Sequence, residues 1–295
     1  MKIIGAGLSG LLAGALIPGA TIYERQQSLP NNHGAILRFR SDKIGKALNI
    51  PFKKVRVTKA IWSEVMYGYA EPTPRVNNMY SKKVTGKYGQ RSIDNIDPCY
   101  RYIAPDSFIS QLAERCNIVF SREFPGDIPA GGPVISTIPL PVMMDAMGMD
   151  VGVKFERAQI WSTIYEFDDI DLYQTIYFPD TGTRVYRASF TGNKLIVEMI
   201  SNPRNVGDPI ESVLEAFAID AKPFSSEVKN QRYGKIIEID THIRHSIIQQ
   251  ISTKHNIYSL GRYATWRNIL LDDVFDDIHV IKDLIQKDSY TRRLG

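Results

Sequence analysis

Cysteine is scarce: Cys99 and Cys116 are the only two in 295 residues, and they form no Cys-x-x-Cys pair. Both read as buried or incidental thiols of a reducing compartment, with a redox pair as the lesser alternative. Histidine is nearly as sparse, at five. No His-Glu-x-x-His, Walker loop or spaced Cys/His set occurs, so no metal centre or nucleoside triphosphate cradle is indicated. His242 and His245 stand three apart without a third ligand and read as structural. No apolar run approaches the roughly 20 residues that span a bilayer. The first strand begins at Lys2, which leaves no room for a leader, so a cytoplasmic chain without membrane attachment is expected. A strong charge bias is also lacking: 36 basic against 32 acidic residues give +4. That balance permits an anionic or nucleic-acid partner and demands neither. There is no internal repeat, linker or low-complexity tract, and nothing speaks to oligomeric state.

What is present is concentrated in the first 24 residues. Lys2-Ile3-Ile4 is a short apolar run, followed at once by Gly5-Ala6-Gly7-Leu8-Ser9-Gly10 and the helix-forming Leu11–Leu16. Pro18-Gly19 breaks that helix, Ala20–Tyr23 reads as a second strand, and Glu24 ends it. Strand, Gly-rich turn, helix, strand and acid in this order make a nucleotide-binding βαβ unit. Gly5 permits the tight turn, Gly7 lets a pyrophosphate approach the backbone, and Gly10 lets the helix lie close to the sheet. The N–H groups and positive dipole at the helix start suit phosphates. Glu24 is placed to accept hydrogen bonds from an adenosine ribose.

Further along, Ser41-Asp42 reads as the cap of a short helix through Leu48, and Lys54–Trp62 alternates with period two. Short β-like runs separated by Pro72, Pro74, Gly86 and Gly89 are expected after it. Residues 98–150 return to α/β signals, with a helix after Ser107, a strand at Asn117–Phe120 and the wholly apolar Val134–Pro139. The last has the composition of a strand buried in a parallel sheet. Trp161–Phe167, Tyr173–Phe178, Thr183–Phe190 and Leu195–Ile200 are strand candidates joined by Asp/Gly/Asn turns. A helix from Asp208-Pro209, a strand at Lys235–Ile239 and a helix at Thr241–Ile251 follow. Asn256–Arg262 is then strand plus glycine, and Asp272-Asp273 caps a final amphipathic helix.

Three separated stretches together resemble the FAD-dependent amine oxidase, protoporphyrinogen oxidase and UDP-galactopyranose mutase superfamily. They are Ile4–Leu11 with Glu24-Arg25, the Val134–Pro139 strand, and Ser259-Leu260-Gly261-Arg262 ahead of the acid-capped last helix. The resemblance implies an α/β fold: a Rossmann-like FAD-binding domain interrupted by a smaller, mainly antiparallel β substrate domain. Residues 1–53, 96–150 and 235–295 would form the first, and 54–95 and 151–234 the second. It implies that Gly5, Gly7, Ser9, Gly10, Glu24 and Arg25 meet the ADP half of FAD. Thr137 belongs to the returning strand, Gly261 and Arg262 would lie near the pyrophosphate and ribityl chain, and Asp272 to Val274 would face the flavin pyrimidine edge. Where many members carry Gly-Gly after the ribose acid, this chain has only His33-Gly34-Ala35; Gly34 is the candidate there, and Arg38 a candidate contact for flavin or an anionic substrate. Trp161, Tyr165, Tyr173, Tyr177, Tyr186 and Trp266 supply the aromatic faces from which a pocket would be drawn.

No second Gly-x-Gly-x-x-Gly occurs, so a dedicated NAD(P)H domain is not expected. Three functions stay open. The first is an FAD oxidoreductase that oxidises a C–N bond of an amine or amino-acid-like group by hydride transfer to flavin N5. The chain is compact and resembles phage-encoded relatives, so an amine-bearing nucleoside in phage DNA (a DNA-modification role) is one form of that reading. The second is a mutase-like use of reduced flavin on a sugar nucleotide. The third is a nucleotide-binding scaffold without turnover. No catalytic base is assigned.

Overall fold

The computed structural model describes residues 1–29 and 37–294. The chain divides into two compact units. Unit 1 comprises Met1–Lys53, Tyr102–Phe155 and Glu238–Gly295, and unit 2 comprises Lys54–Arg101 and Glu156–Ile237. In chain order, β1 (Lys2–Ile4), α1 (Leu8–Leu16), β2 (Thr21–Tyr23), β3 (Arg38–Phe39) and α2 (Lys43–Leu48) come first. Then follow β4 (Lys53–Ser63), β5 (Gly68–Ala70), α3 (Pro74–Thr85) and β6 (Cys99–Ile103). After them come α4 (Phe108–Glu114), β7 (Asn117–Val119), β8 (Val134–Ser136) and α5 (Leu140–Ala146). The second excursion holds β9 (Arg157–Glu166), β10 (Leu172–Tyr177), β11 (Val185–Gly192), β12 (Lys194–Met199), α6 (Pro203–Val206), α7 (Ile210–Phe217) and β13 (Ser225–Ile236). Finally α8 (Thr241–His255), β14 (Ile257–Ser259) and α9 (Leu271–Leu294) complete unit 1.

Unit 1 is built on a five-stranded parallel sheet in the order β14-β8-β1-β2-β7. Its central strands are apolar because parallel strands are covered on both faces; all three residues of β8 are buried. Ile3, Ile22, Ile135 and Tyr258 join Leu11, Leu12, Phe108, Val274 and Ile278 in one core that draws α1, α4 and α9 together. Strand order reverses around β1, so the first crossover helix starts at the carboxyl ends of the strands, where ligands of open α/β sheets bind.

Unit 2 is a mixed sheet in the order β13-β9-β12-β11-β10-β4, with β5 hairpinned onto β4. All its pairs are antiparallel except β10 with β4. Period-two alternation sends Tyr165, Phe167, Ala188, Phe190, Leu195 and Val197 to one face, against Val213, Leu214 and Phe217 of α7. The other face holds Ile61, Ile160 and Tyr186, packed with Tyr80 and Val84 of α3. Charge on that face is paired: Arg187 bridges to Glu198, whose carboxylate also accepts the Tyr186 hydroxyl at 2.7 Å. Burial alone would raise the Glu198 carboxyl, but Arg187 outweighs it and holds that carboxyl down at about 2.

Three expectations are corrected. The segment after Pro72 is not strand: Pro74–Thr85 is helical, with Thr73 Oγ1 accepting the Val76 N–H at 3.2 Å and Gly86 left-handed beyond it. Pro74 and Gly86, read as strand breakers, are the first helical position and the C-terminal cap. The strand expected at Lys235–Ile239 is the tail of the 12-residue β13, whose polar residues show no alternation because it is an exposed edge bonded only to β9. Asp272 and Asp273 lie inside the first turn of α9 rather than ahead of it. Among the described residues, no helix is long and apolar enough to cross a membrane.

Lys83 of α3 generates a prediction. Its ammonium donates to the carbonyls of Phe178 (2.8 Å), Asp180 (2.6 Å) and Val185 (2.5 Å). Burial pushes it down to about 7, whereas the unfolded side chain titrates near ~10.4. Between those values the unfolded chain binds the extra proton, so stability is expected to rise with pH from 7 toward 10. Urea denaturation across this window checks it. Lys83→Met is expected to flatten the rise and, by stranding three carbonyls, to lower stability at pH 7 by about 2–4 kcal/mol.

Candidate cofactor-binding site

Unit 1 brings the carboxyl ends of β1, β2, β8 and β14 together, and each turn leaving them has a defined geometry. Gly5 has φ +94°, and a Cβ there would lie 2.6 Å from Thr137 Oγ1. Its N–H donates to Tyr23 O at 2.8 Å. A Cβ on Gly10 would sit 1.9 Å from the Gly5 carbonyl oxygen, so α1 reaches the turn only because that atom is absent. Gly7 differs: a Cβ there would meet nothing within 4 Å. Gly7 caps α1 without a side chain, and the first N–H groups of the helix have no carbonyl one turn earlier to bond. The result is an open cradle lined by backbone donors.

Glu24 is buried at 6% exposure. Its Oε2 accepts the Ala6 N–H at 2.7 Å and its Oε1 the Gln26 N–H at 3.0 Å, so it ties the Gly-rich turn to the end of β2. Each oxygen keeps a second lone pair. Arg25, the next residue, is exposed. Thr137 continues β8 over the same turn, with its N–H and Oγ1 both donating to Ile4 O, at 3.0 and 2.8 Å. From β14, Leu260 N–H donates to Ser136 O at 2.8 Å. Gly261, at φ +90°, then lies so close to α1 that a Cβ would be 2.3 Å from Ser9 Oγ. Arg262 stands over the Tyr263 ring at 5.2 Å.

The start of α9 is fixed from the other side. Asp272, 2% exposed, accepts the Arg40 N–H at 3.1 Å and the Ser41 N–H and Oγ at 3.2 Å. Asp273 accepts the Leu270 N–H at 2.9 Å and pairs with Arg40. The N–H of Val274 is spent on Leu270 O and its side chain is core, so Val274 offers nothing to a ligand, contrary to expectation. The donors left at this terminus belong to Leu271 and Asp272. Arg40 and Ser41 were not expected here; their backbone N–H groups carry no sequence signal.

Arg38 is half-buried, paired through β3 with Ile103. Gly34, with His33, falls outside the described residues. The aromatic candidates divide. Tyr165, Tyr186 and Trp266 are at most 1% exposed, which corrects the expectation that they line a pocket. Tyr165 donates to Asp208 and Tyr186 to Glu198, while Trp266 packs edge-on against Phe155 at 5.1 Å. Burial, then the neighbouring carboxylates, push both phenols well above their ordinary range. Trp161 and Tyr177 keep accessible surface, Tyr177 edge-on to Tyr80 at 5.7 Å.

With this geometry in hand, solved structures give the decisive comparison. A crystal structure of reduced UDP-galactopyranose mutase superposes with a TM-score of 0.70 at 12% identity, covering 97% of this chain and 95% of its own. The chain shares the fold of that mutase along its whole length. A protoporphyrinogen oxidase-like protein from Exiguobacterium sp. 255-15 gives 0.61 at 10% identity, covering 97% and 98%. A CLA-producing fatty acid isomerase from P. acnes gives 0.60 at 13%, covering 97% of each chain. By sequence, no protein-family model and no curated protein matches.

The glycines separate structural from ligand-facing roles. Gly10→Ala is expected to destabilise the protein by about 2–5 kcal/mol, because backbone rather than a movable side chain blocks the added methyl. Gly7→Ala, which points into open space, should stay within about 1 kcal/mol of the parent. Thermal melts of the two purified variants check the contrast.

Proposed function

We propose that unit 1 binds FAD across the start of α1 and that the protein is an FAD-dependent oxidoreductase. The open space over Gly7 beside the unspent N–H groups of α1 carries this reading. Gly5 and Gly10 shape the turn, Ser9 and Gly261 bring α1 and the segment after β14 together, and Glu24 keeps lone pairs for ribose hydroxyls. Arg25 and Arg262 add cations beside an anionic ligand, Thr137 fixes the floor, and the N-terminus of α9 stabilises negative charge at the far end. Bound FAD would supply hydride acceptance at flavin N5.

The finer reading is oxidation of a C–N bond in an amine or amino-acid-like group, including an amine-bearing nucleoside of phage DNA. It rests on the sequence resemblance. A mutase-like reaction of reduced flavin on a sugar nucleotide is the second reading, favoured by the TM-score of 0.70 to UDP-galactopyranose mutase.

Purified protein is expected to be yellow, with flavin absorption lost in Gly7→Asp while the variant stays folded; a fully loaded Gly7→Asp would sink the cradle. An anaerobic spectral screen against amines, amino acids, amine-modified nucleosides and sugar nucleotides separates the finer readings. Bleaching by an amine without added reductant supports C–N oxidation. Turnover of a sugar nucleotide only after dithionite, with no net oxidation, supports the mutase. A flavin that no candidate bleaches or turns over means a non-catalytic role.

A further inference from the structure

Unit 1 holds a second concave site that shares no residue with the Gly-rich turn or the start of α1. It is a cavity of about 210 Å³ between α8, the end of β14 and the middle of α9. One wall is polar: Arg244, His245 and Ser252 from α8, Ser259 from β14, and Thr265 and Arg267 from the segment after it. From α9 the cavity is lined by Asp277 and by the apolar Val280, Ile281 and Leu284. Val280 and Leu284 are 57% and 44% exposed, so this apolar surface faces solvent.

Arg244 is the decisive residue. It is 8% exposed, and its helix neighbours Ile247 and Ile251 are core. Among the described residues, its guanidinium has no hydrogen-bond or ion-pair partner. A second guanidinium stands nearby, since Arg267 is the charge that most opposes Arg244; Glu238 acts on it favourably from beyond ion-pair reach. Arg267 itself is spent, bonded to Thr265 Oγ1 at 3.1 Å and paired with Asp277. The cavity is therefore lined by two guanidiniums, one carboxylate and His245, and Arg244 is the guanidinium that pairs with no carboxylate among the described residues. Burying a cation without a partner is costly, and an oxyanion would relieve it through charge-assisted bonds. A helix built only for packing would place an aliphatic residue at position 244.

We propose that this cavity is a binding site for a small organic phosphate, its oxyanion held by Arg244 with the hydroxyl of Ser259 and its apolar part lying against Val280 and Leu284. The site does not depend on the FAD reading, because none of its lining residues belongs to the Gly-rich cradle.

Phenyl phosphate is the probe, with inorganic phosphate and benzoate as comparison arms, followed by calorimetric titration of the full chain. Saturable binding of phenyl phosphate is expected, tighter than inorganic phosphate by the contribution of the ring and tighter than benzoate by that of the phosphate. Arg244→Gln should weaken it about tenfold or more. Leu284→Trp, which fills the apolar half and removes no charge, should weaken phenyl phosphate and spare inorganic phosphate. Gly7→Asp should leave binding unchanged. The proposal is overturned by no binding to the parent protein, by equal affinity in Arg244→Gln, or by loss in Gly7→Asp with retention in Arg244→Gln, which would put the probe in the cradle. Should Arg244→Gln fail to fold, Leu284→Trp alone decides: unchanged phenyl phosphate affinity rejects the site.

Discussion

The architecture of unit 1 depends on how closely α1 approaches the turn that leaves β1. The Gly5 carbonyl occupies the place where a Cβ of residue 10 would stand, and Gly261 lies where a Cβ would strike Ser9. These two contacts set the position of the helix start over the sheet. Everything else at the carboxyl edge is arranged around it: Thr137 bonds Ile4, Glu24 bonds Ala6, and Leu260 bonds Ser136. Glu24 and Thr137 fasten the exits of β2 and β8 to the turn and to β1, and Leu260 fastens the exit of β14 to β8. A larger residue at either glycine would move the helix and break several of these bonds together, which is why the cradle is rigid without any side-chain cap on α1.

Unit 2 follows a different rule. One face of its sheet is closed by apolar packing against α7, and the other carries polar groups that are tolerated because they are paired. Arg187, Glu198 and Tyr186 satisfy one another, and Thr175 and Ser189 share a hydrogen bond of 3.0 Å across β10 and β11. Two of the large aromatics expected to line a substrate pocket, Tyr165 and Tyr186, are consumed by this packing. Tyr165 and Tyr186 combine apolar area with one hydrogen-bonded hydroxyl, which is what an interior tyrosine requires.

How much of this could be read from the chain follows from the kind of constraint involved. The β1-α1-β2 unit was legible because backbone geometry dictates residue type: only glycine fits at positions 5, 10 and 261, so spacing alone exposes the turn. Val134–Ser136 was legible because a strand covered on both faces must be apolar throughout. Helix α3 was not, since Pro74 and Gly86 mean "break" in a strand and "cap" in a helix, and only the Thr73 cap distinguishes them. Edge strand β13 lacked alternation because it has little to bury. The fate of the aromatics was illegible for a further reason: periodicity assigns a ring to a face, but not whether another element covers that face.

On these two proposals, unit 1 would recognise anions in two physical forms. At α1 the donors are backbone N–H groups, so the site must leave a mark in the sequence, because the backbone can be approached only where side chains are missing. Between α8 and α9 the proposed donors are side chains 15 positions apart along the chain, Arg244 and Ser259. No rule of spacing connects them; they meet because α8 packs on β14 and the segment after β14 folds back to α9. A guanidinium can reach an anion from many backbone positions, so such a site costs the sequence no glycine and leaves no motif. What marks it is a guanidinium at 8% exposure that lines a cavity and has no protein partner among the described residues.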